Sequence, residues 1–194
     1  GGTTRKRQLI AKLDHAAEER MRLGHVRHHR SERVAAKQEL VEQQLGSQAG
    51  LPHHGLVAKY RKQLIDAYWI AEPEDIIALN LKQLDDAKGK PLDIASQYYA
   101  ARGATLVTVI AADHPGLFYR IAGGIHVAGG NIIDARIHTT RNGLALDNFL
   151  VQDPLGRPFM EASQLARLRT AIEDALANRI KLAPQLAARP LARP

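Results

Sequence analysis

Apolar residues recur at helical spacing through most of the first 90 positions. They predict one helix over residues 5–45, a turn-rich linker over 46–55 and a second helix from about Leu56 to Ala67. Acidic residues around Pro73 are typical of a helix start and predict a third helix that ends near Ala87. We therefore expect the first half of the chain to be helical.

From residue 92 onward, apolar and polar residues alternate with the period of a β-strand. Segments 92–99 and 104–112 are separated by a short turn, which predicts an antiparallel hairpin. Segments 131–140 and 144–153 flank an Asn-Gly dipeptide and predict a second hairpin. Strict alternation over 131–140 would place four residues on one face: Ile132, Asp134, Arg136 and His138.

Helical patterns separate and follow these strands. The segment "GLFYRIAGGIHVAGG" predicts a helix between the two hairpins, and a closing helix is predicted from about Glu161 to Ile180. The resulting order, strand-helix-strand-strand-helix, predicts an α+β, ferredoxin-like domain without its closing strand. The extra strand at 92–99, paired with 104–112, is expected to occupy the empty lane of that sheet.

The patterns divide the chain into four parts. Residues 1–50 are predicted to form a long helical segment, 51–91 a linker and helical connector, 92–180 the α+β domain, and 181–194 a tail. The chain begins with Gly-Gly rather than Met, and we expect it to be a piece of a longer protein.

Composition narrows the functional classes. The chain has 194 residues, of which 45% are hydrophobic, as in an ordinary globular protein. It contains no cysteine, which excludes thiolate metal sites, cysteine nucleophiles and a disulfide framework. No apolar run is long enough for a membrane-spanning helix, and no signal peptide is evident. We therefore expect no membrane partner and a cytoplasmic location. The net charge is +7, but the Lys and Arg residues alternate with Glu and Asp along the helices. No motif that reads a nucleic-acid groove accompanies them, so no nucleic-acid partner is expected.

The segment "DHPG" and the start of the following strand carry the candidate binding chemistry. Pro115 suits a first helical turn, and Asp113 or His114 could cap the helix. Gly116 removes a Cβ at the helix N-terminus, where backbone N–H groups favour an anion such as an α-carboxylate. Asn131 can both donate and accept hydrogen bonds. These features predict a small-molecule site.

Structural explanations exist for the same residues. Pro-Gly is common at the junction of a strand and a helix in many folds. The glycine pair at 129–130 would end a helix with one left-handed residue. The glycine pair at 123–124 would allow close packing of the helix. Asn131 could be a turn residue. The histidines at 25, 28 and 29 lack a carboxylate cluster in register, so a solvated helix surface and no metal site are expected.

The segments "DHPGLFYRIAG", "NIIDARIHTTRNGLALDNFLVQD" and "GRPF…LARLRTAIEDAL" resemble an ACT domain, a ligand-sensing module of amino-acid metabolism. More narrowly, they resemble the first ACT repeat of the bifunctional PII uridylyltransferase/uridylyl-removing family. The upstream "RLGHVRHHRSERV" and "YRKQLIDAYWIAEPEDI" are similar to that family's connector after its HD hydrolase domain.

The resemblance implies a regulatory function. It implies glutamine as effector, the PII protein as partner of the catalytic domains, and UTP and magnesium as their requirements. The chain lacks both the nucleotidyltransferase motif and any His-Asp doublet, so we expect no catalysis and no cofactor of its own. The implied ligand-binding residues are Asp113, His114, Gly116, Leu117, Gly130, Asn131 and Ile132.

A second interpretation belongs to another functional class. The ACT-like domain would then be a ligand-free dimerisation or docking module. Self-association through the sheet or through exposed helices is expected under either interpretation.

Overall fold

The computed structural model describes residues 2–47 and 53–178. The described residues fall into two compact units, one within residues 2–61 and 65–79 and the other within residues 62–64 and 80–178. The predicted tail at 181–194 and the end of the predicted closing helix lie outside the described residues.

The first unit is helical. Its elements are α1 (Gly2–Ser47), α2 (Leu56–Tyr60), α3 (Asp66–Ala71) and the first half of α4 (Glu74–Asp86). The helices predicted over 5–45 and up to Ala87 are thus confirmed. Near the end of α1, Val34, Val41 and Leu45 are buried, whereas the first thirty residues of this helix are exposed wherever they are described.

The predicted single helix from Leu56 to Ala67 is wrong. The chain leaves the helix after Tyr60, and Ile65 is extended, with φ −75° and ψ 159°. Within the second unit, the carbonyl of Gln63 accepts a hydrogen bond from the backbone N–H of Arg141 at 2.8 Å. In a continuous helix that carbonyl would be used locally, so a tertiary contact overrides the local helical preference.

The second unit contains a four-stranded antiparallel sheet. Its elements are β1 (Leu92–Tyr99), β2 (Ala104–Ala112), α5 (Leu117–Val127), β3 (Asn131–Thr139), β4 (Leu144–Gln152) and α6 (Ala162–Leu176). The strand order is β1-β2-β4-β3, and each neighbouring pair is antiparallel. This order is compatible with a ferredoxin-like domain. β1 lies beside β2, in the position that the closing strand has in that fold, as the sequence predicts.

Both faces of the sheet are covered. On one face, α5 and α6 pack on apolar residues of β2 and β4, among them Val107, Val109 and Phe149. On the other, Gln83 of α4 donates hydrogen bonds to the Asp93 carboxylate at 2.9 Å and to the Thr108 carbonyl at 3.1 Å. These polar contacts fix the second half of α4 on the sheet.

A β-bulge changes the predicted phase of β3. Ile132 pairs with Val151 and Asp134 with Leu150, so Ile133 is the additional residue. Ile132 therefore packs against the core on the face covered by α5 and α6. It does not lie on the same face as Asp134, as strict alternation predicts. The polar residues Asp134 and Arg136 form an ion pair at 3.2 Å and are only about one-third exposed, at 32% and 31%.

Close packing of α5 on α6 depends on Gly124. A Cβ at this position would lie 2.8 Å from the Ala171 carbonyl oxygen and 2.8 Å from the Ile172 Cα, which are backbone atoms. We expect Gly124→Ala to lower the free energy of unfolding by about 1–2 kcal/mol, because the overpacking exceeds the gain in helix propensity. Thermal unfolding followed by circular dichroism measures the effect.

Gly24→Ala is the matched control. Gly24 also lies inside a helix, but no atom lies within 4 Å of its added Cβ. Alanine there is expected to stabilise the helix by up to about 1 kcal/mol. Equal effects of the two substitutions would contradict the packing explanation.

No helix in the described part of the chain has the length and apolar character needed to cross a membrane.

Candidate ligand site

The predicted loop forms a tight turn before α5. The Leu117 N–H donates a hydrogen bond to the His114 carbonyl at 3.2 Å, and Gly116 has φ 82° and ψ −2°. With Pro115 in the second position and glycine at positive φ in the third, this is the arrangement of a type II turn. The prediction that Pro115 lies in the first helical turn is wrong, because α5 begins two residues later.

The two side chains predicted to cap α5 make other contacts. The Asp113 carboxylate accepts a hydrogen bond from the Thr139 hydroxyl at 3.2 Å. The imidazole Nδ1 of His114 lies 2.9 Å from the Pro115 carbonyl oxygen, and since a carbonyl only accepts, Nδ1 donates. The N-cap is Gly116, without any side-chain hydrogen bond, so the predicted capping is wrong.

The second group of predicted residues follows the other end of α5. Gly129 has φ 84°, and the Gly130 N–H donates to the Ile125 carbonyl at 2.8 Å, which completes a Schellman-type helix end, as predicted. A Cβ on Gly130 would lie 2.7 Å from the Ile125 Cγ2 and 2.8 Å from the Val151 Cγ1. Gly130 is buried and serves packing, whereas Asn131 is exposed.

One chain does not bring the two groups together. Residues 113–117 lie at the N-terminal end of α5 and residues 130–132 just beyond its C-terminal end. The helix has 11 residues, which corresponds to a length of about 16 Å. A small molecule that contacts the loop of one chain therefore cannot also contact Asn131 of that chain.

Asp147 is a polar residue that sequence reasoning missed. It is 1% exposed, and its Oδ1 has no hydrogen-bond partner within the described residues. Its pKa is raised to about 6, chiefly by burial and also by the Asp113 charge, whereas the His138 backbone N–H and imidazole lower it. The sequence feature that could have revealed it is a carboxylate on the otherwise apolar face of β4, between Ala145 and Phe149.

A cleft of about 440 Å³ opens beside the loop. It lies between the start of β1, the end of β2, the start of α5 and the end of α6, all within the second unit. Most of the residues that line it are apolar, and two are polar, His114 and Glu173; the lining residues are Pro91, Leu92, Ala111, Ala112, His114, Leu117, Glu173, Leu176 and Ala177. Its volume suits a small metabolite.

The α1 histidines form a local cluster. The Nε2 atoms of His25 and His29 lie 3.0 Å apart, and His28 lies 2.9 Å from the Glu32 carboxylate. Among the described residues, no group of three or more His, Cys, Asp or Glu side chains could hold a metal ion.

Comparison with known proteins gives a family relationship. No protein-family model and no solved structure matches the chain. A bifunctional uridylyltransferase/uridylyl-removing enzyme of Novosphingobium aromaticivorans is 66% identical over 189 residues, which are 97% of this chain and 20% of that protein. This chain is related to a segment of the bifunctional uridylyltransferase/uridylyl-removing enzymes.

Further uridylyltransferase/uridylyl-removing enzymes match the same extent. The protein of Erythrobacter litoralis is 62% identical over 96% of the chain, and that of Zymomonas mobilis is 41% identical over 94%. In each case the chain spans 20% of the relative's length. The resemblance to this family that the sequence motifs indicate is thus confirmed.

Proposed function

We propose that this chain is a regulatory segment of a bifunctional PII uridylyltransferase/uridylyl-removing enzyme, in which an ACT domain over residues 92–180 senses glutamine. High identity over nearly the whole chain, with only a fifth of each relative covered, supports the assignment to one segment of such an enzyme. UTP, magnesium and the PII protein would be bound by other parts of the enzyme. The segment itself would catalyse neither uridylyl transfer nor removal.

The observation that carries the sensing proposal is the turn at residues 113–116. It is exposed, its geometry is fixed by Pro115 and Gly116, and it borders a cleft of metabolite size. A rigid scaffold that presents an exposed loop is the usual support of a binding site. A ligand that favours one arrangement of the enzyme shifts its population by the difference in affinity, which is how such a loop would regulate distant domains.

Calorimetric titration of glutamine into this chain tests the proposal. Saturable heat is expected for the unmodified chain. Gly116→Ala places a Cβ at φ 82°, where no atom lies within 4 Å, so it strains the turn without a clash. We expect at least about fivefold weaker binding, because the turn of the free variant relaxes and its re-formation on binding costs an L-residue about 1–2 kcal/mol.

Gly156→Ala is the control for this substitution. Gly156 also has a positive φ, 75°, and the only atom near its added Cβ is the Gln152 side-chain oxygen at 3.9 Å. The variant carries similar backbone strain away from the loop and is expected to bind glutamine normally. Absence of heat with a folded, unmodified chain would overturn glutamine sensing by this segment.

Exposed apolar residues on the β3 edge support a second candidate function. Ile133 and Ile137 are 41% and 48% exposed on an edge strand. Such an edge suits pairing with another chain, so the domain would act as a dimerisation or docking module. Analytical ultracentrifugation of the unmodified chain and of Ile137→Lys tests this function. A dimer that dissociates in the variant, together with no heat on titration of glutamine, would favour it.

A further inference from the structure

The turn between β3 and β4 is closed by its own hydrogen bonds. The Gly143 N–H donates to the Thr140 carbonyl at 3.1 Å, and the Leu144 N–H donates to the Thr140 hydroxyl at 3.0 Å. Both central residues of the turn have a negative φ, since Asn178 is the only described residue other than glycine with a positive one. Residues 140–143 thus form a type I turn that can move without losing its shape.

On one side this turn holds the exposed loop that precedes α5. The Asp113 N–H donates to the Gly143 carbonyl at 3.2 Å, and the Asp113 carboxylate accepts a hydrogen bond from the Thr139 hydroxyl at 3.2 Å. Both the main chain and the side chain of Asp113 are thus bound to the end of the hairpin. Because Asp113 is the first residue of the loop 113–116, a change in the conformation of the loop would displace the turn.

On its other side the same turn binds a short segment between α2 and α3. The Arg141 N–H donates to the Gln63 carbonyl at 2.8 Å, and Leu64, the next residue of that segment, is 3% exposed. Residues 62–64 belong to the second unit, whereas the residues before and after them in the chain belong to the first. The turn therefore holds a segment whose two covalent neighbours lie in the helical unit.

Only one residue separates this segment from α3. Ile65 is extended, and its carbonyl accepts a hydrogen bond from the Tyr68 N–H at 3.0 Å. Tyr68 and Trp69 of α3 are 0% exposed, and their rings are edge to face with centroids 6.0 Å apart. A shift of residues 62–64 would thus reach buried side chains of the helical unit through a single extended residue.

We propose that the β3–β4 turn is a relay that couples the conformation of the loop 113–116 to the start of α3. Two backbone hydrogen bonds, one on each side of the turn, make up its path. For a bound ligand the inference rests on the function proposed above, since the relay would carry the state of that loop to the helical connector. Coupling of this kind is carried by contacts that can be removed one at a time.

Arg141→Pro cuts the path at one N–H group. Proline is favoured at the second position of a type I turn and has no N–H to bind Gln63. We expect hydrogen exchange at Tyr68 and Glu72, whose N–H groups donate to the Ile65 and Tyr68 carbonyls, to become about two- to tenfold faster, the range of one backbone hydrogen bond. Arg141→Ala keeps the N–H and loses the side chain, so it should exchange like the unmodified chain.

The second measurement alters the loop end of the path and observes α3. Trp69 is the only tryptophan of the chain, so its indole N–H resonance reports on α3 without a label. We expect Gly116→Ala, which strains the loop, to shift this resonance, and we expect the shift to disappear when Arg141→Pro is added. Gly156→Ala carries similar strain outside the loop and should leave the resonance in place.

Two results would overturn the relay. One is equal exchange at Tyr68 and Glu72 in the proline and alanine variants of Arg141, because the N–H group would then not hold the segment. The other is a Trp69 resonance that does not respond to Gly116→Ala, or responds equally with and without the Arg141 N–H. In the latter case the loop and α3 would be coupled by another route.

Thr139→Val keeps the relay testable if circular dichroism shows that Arg141→Pro does not fold. The substitution removes the hydroxyl group that binds the Asp113 carboxylate and retains the shape of the side chain. The shift of the Trp69 resonance caused by Gly116→Ala should then become smaller, whereas Thr139→Ser should preserve it. A shift of unchanged size in Thr139→Val would contradict the relay.

Glutamine then separates the relay from the sensing proposal. If glutamine binds and shifts the Trp69 resonance only in chains that retain the Arg141 N–H, both stand. If glutamine binds but neither it nor Gly116→Ala shifts that resonance, the relay is wrong and glutamine sensing stands. If glutamine gives no heat and Gly116→Ala shifts the resonance only in the presence of the Arg141 N–H, the relay stands and glutamine sensing is wrong.

Discussion

Replacing Thr105 with valine is expected to lower the free energy of unfolding of the sheet unit by about 2–6 kcal/mol. The Thr105 hydroxyl donates to the Phe159 carbonyl at 2.8 Å and accepts from the Phe159 N–H at 2.7 Å. Thr105 is 0% exposed and Phe159 6% exposed. Valine has nearly the same shape, so the cost comes from two buried backbone groups left without partners, at about 1–3 kcal/mol each.

Hydrogen exchange of the slowest amides in β2 and β4 measures this loss, because these central strands open with the whole sheet. Thr105→Ser is the matched control: it retains the hydroxyl and removes one methyl group, so it should cost about 1 kcal/mol. A serine variant as unstable as the valine variant would show that the methyl group, and not the hydroxyl, fixes the segment before α6 to β2.

Asp147→Asn is expected to remove a pH dependence of about 3 kcal/mol from the stability of the sheet unit. In the folded chain the pKa of Asp147 is raised from 3.8 to about 6, chiefly by burial and in smaller part by the Asp113 charge. The folded state therefore holds the proton more tightly than the unfolded state. The contribution of Asp147 to stability is greatest below pH 4, declines as the pH rises, and levels off above about pH 6.

Chemical unfolding of the two proteins between pH 4 and pH 8 tests this expectation. The difference between their free energies of unfolding should change by about 2–3 kcal/mol in favour of the asparagine variant as the pH rises. Asp86→Asn, at the exposed end of α4, provides the control and should follow the unmodified chain. Parallel profiles for Asp147→Asn and the unmodified chain would contradict the raised pKa.

Local patterns were sufficient to predict most of the sheet. The strands predicted at 92–99 and 104–112 coincide with β1 and β2, because alternation defines each strand and a short turn closed by Gly103 joins them. The same locality explains the helix end at Gly129. In both cases the decisive contacts lie within a few residues of each other.

The errors arose where distant contacts decide the backbone. The bulge at Ile133 has no glycine or proline that marks it, and only the pairing with β4 reveals the shift. The interruption after Tyr60 depends on the contact between Gln63 and Arg141, which are far apart in sequence. Neither contact can be read from periodicity.

The candidate site shows the same division. Pro115 and Gly116 encode their turn locally, so the loop could be found, although its capping contacts could not. Glu173 appears in sequence as one of several polar residues on an amphipathic helix, and only the fold places it beside Leu92 and His114. The predicted pairing of the loop with Asn131 assumed a proximity that the length of α5 does not allow within one chain.

The position of β1 has a consequence for folding during synthesis. A strand that closes a βαββαβ sheet is made last and must pair across the whole domain, whereas β1 and β2 are joined by four residues, 100–103. This hairpin can form as soon as it leaves the ribosome, since short loops close fastest and chains fold from the N-terminal side. The hairpin of β1 and β2 can thus pair before the residues of α5, β3 and β4 have emerged from the ribosome.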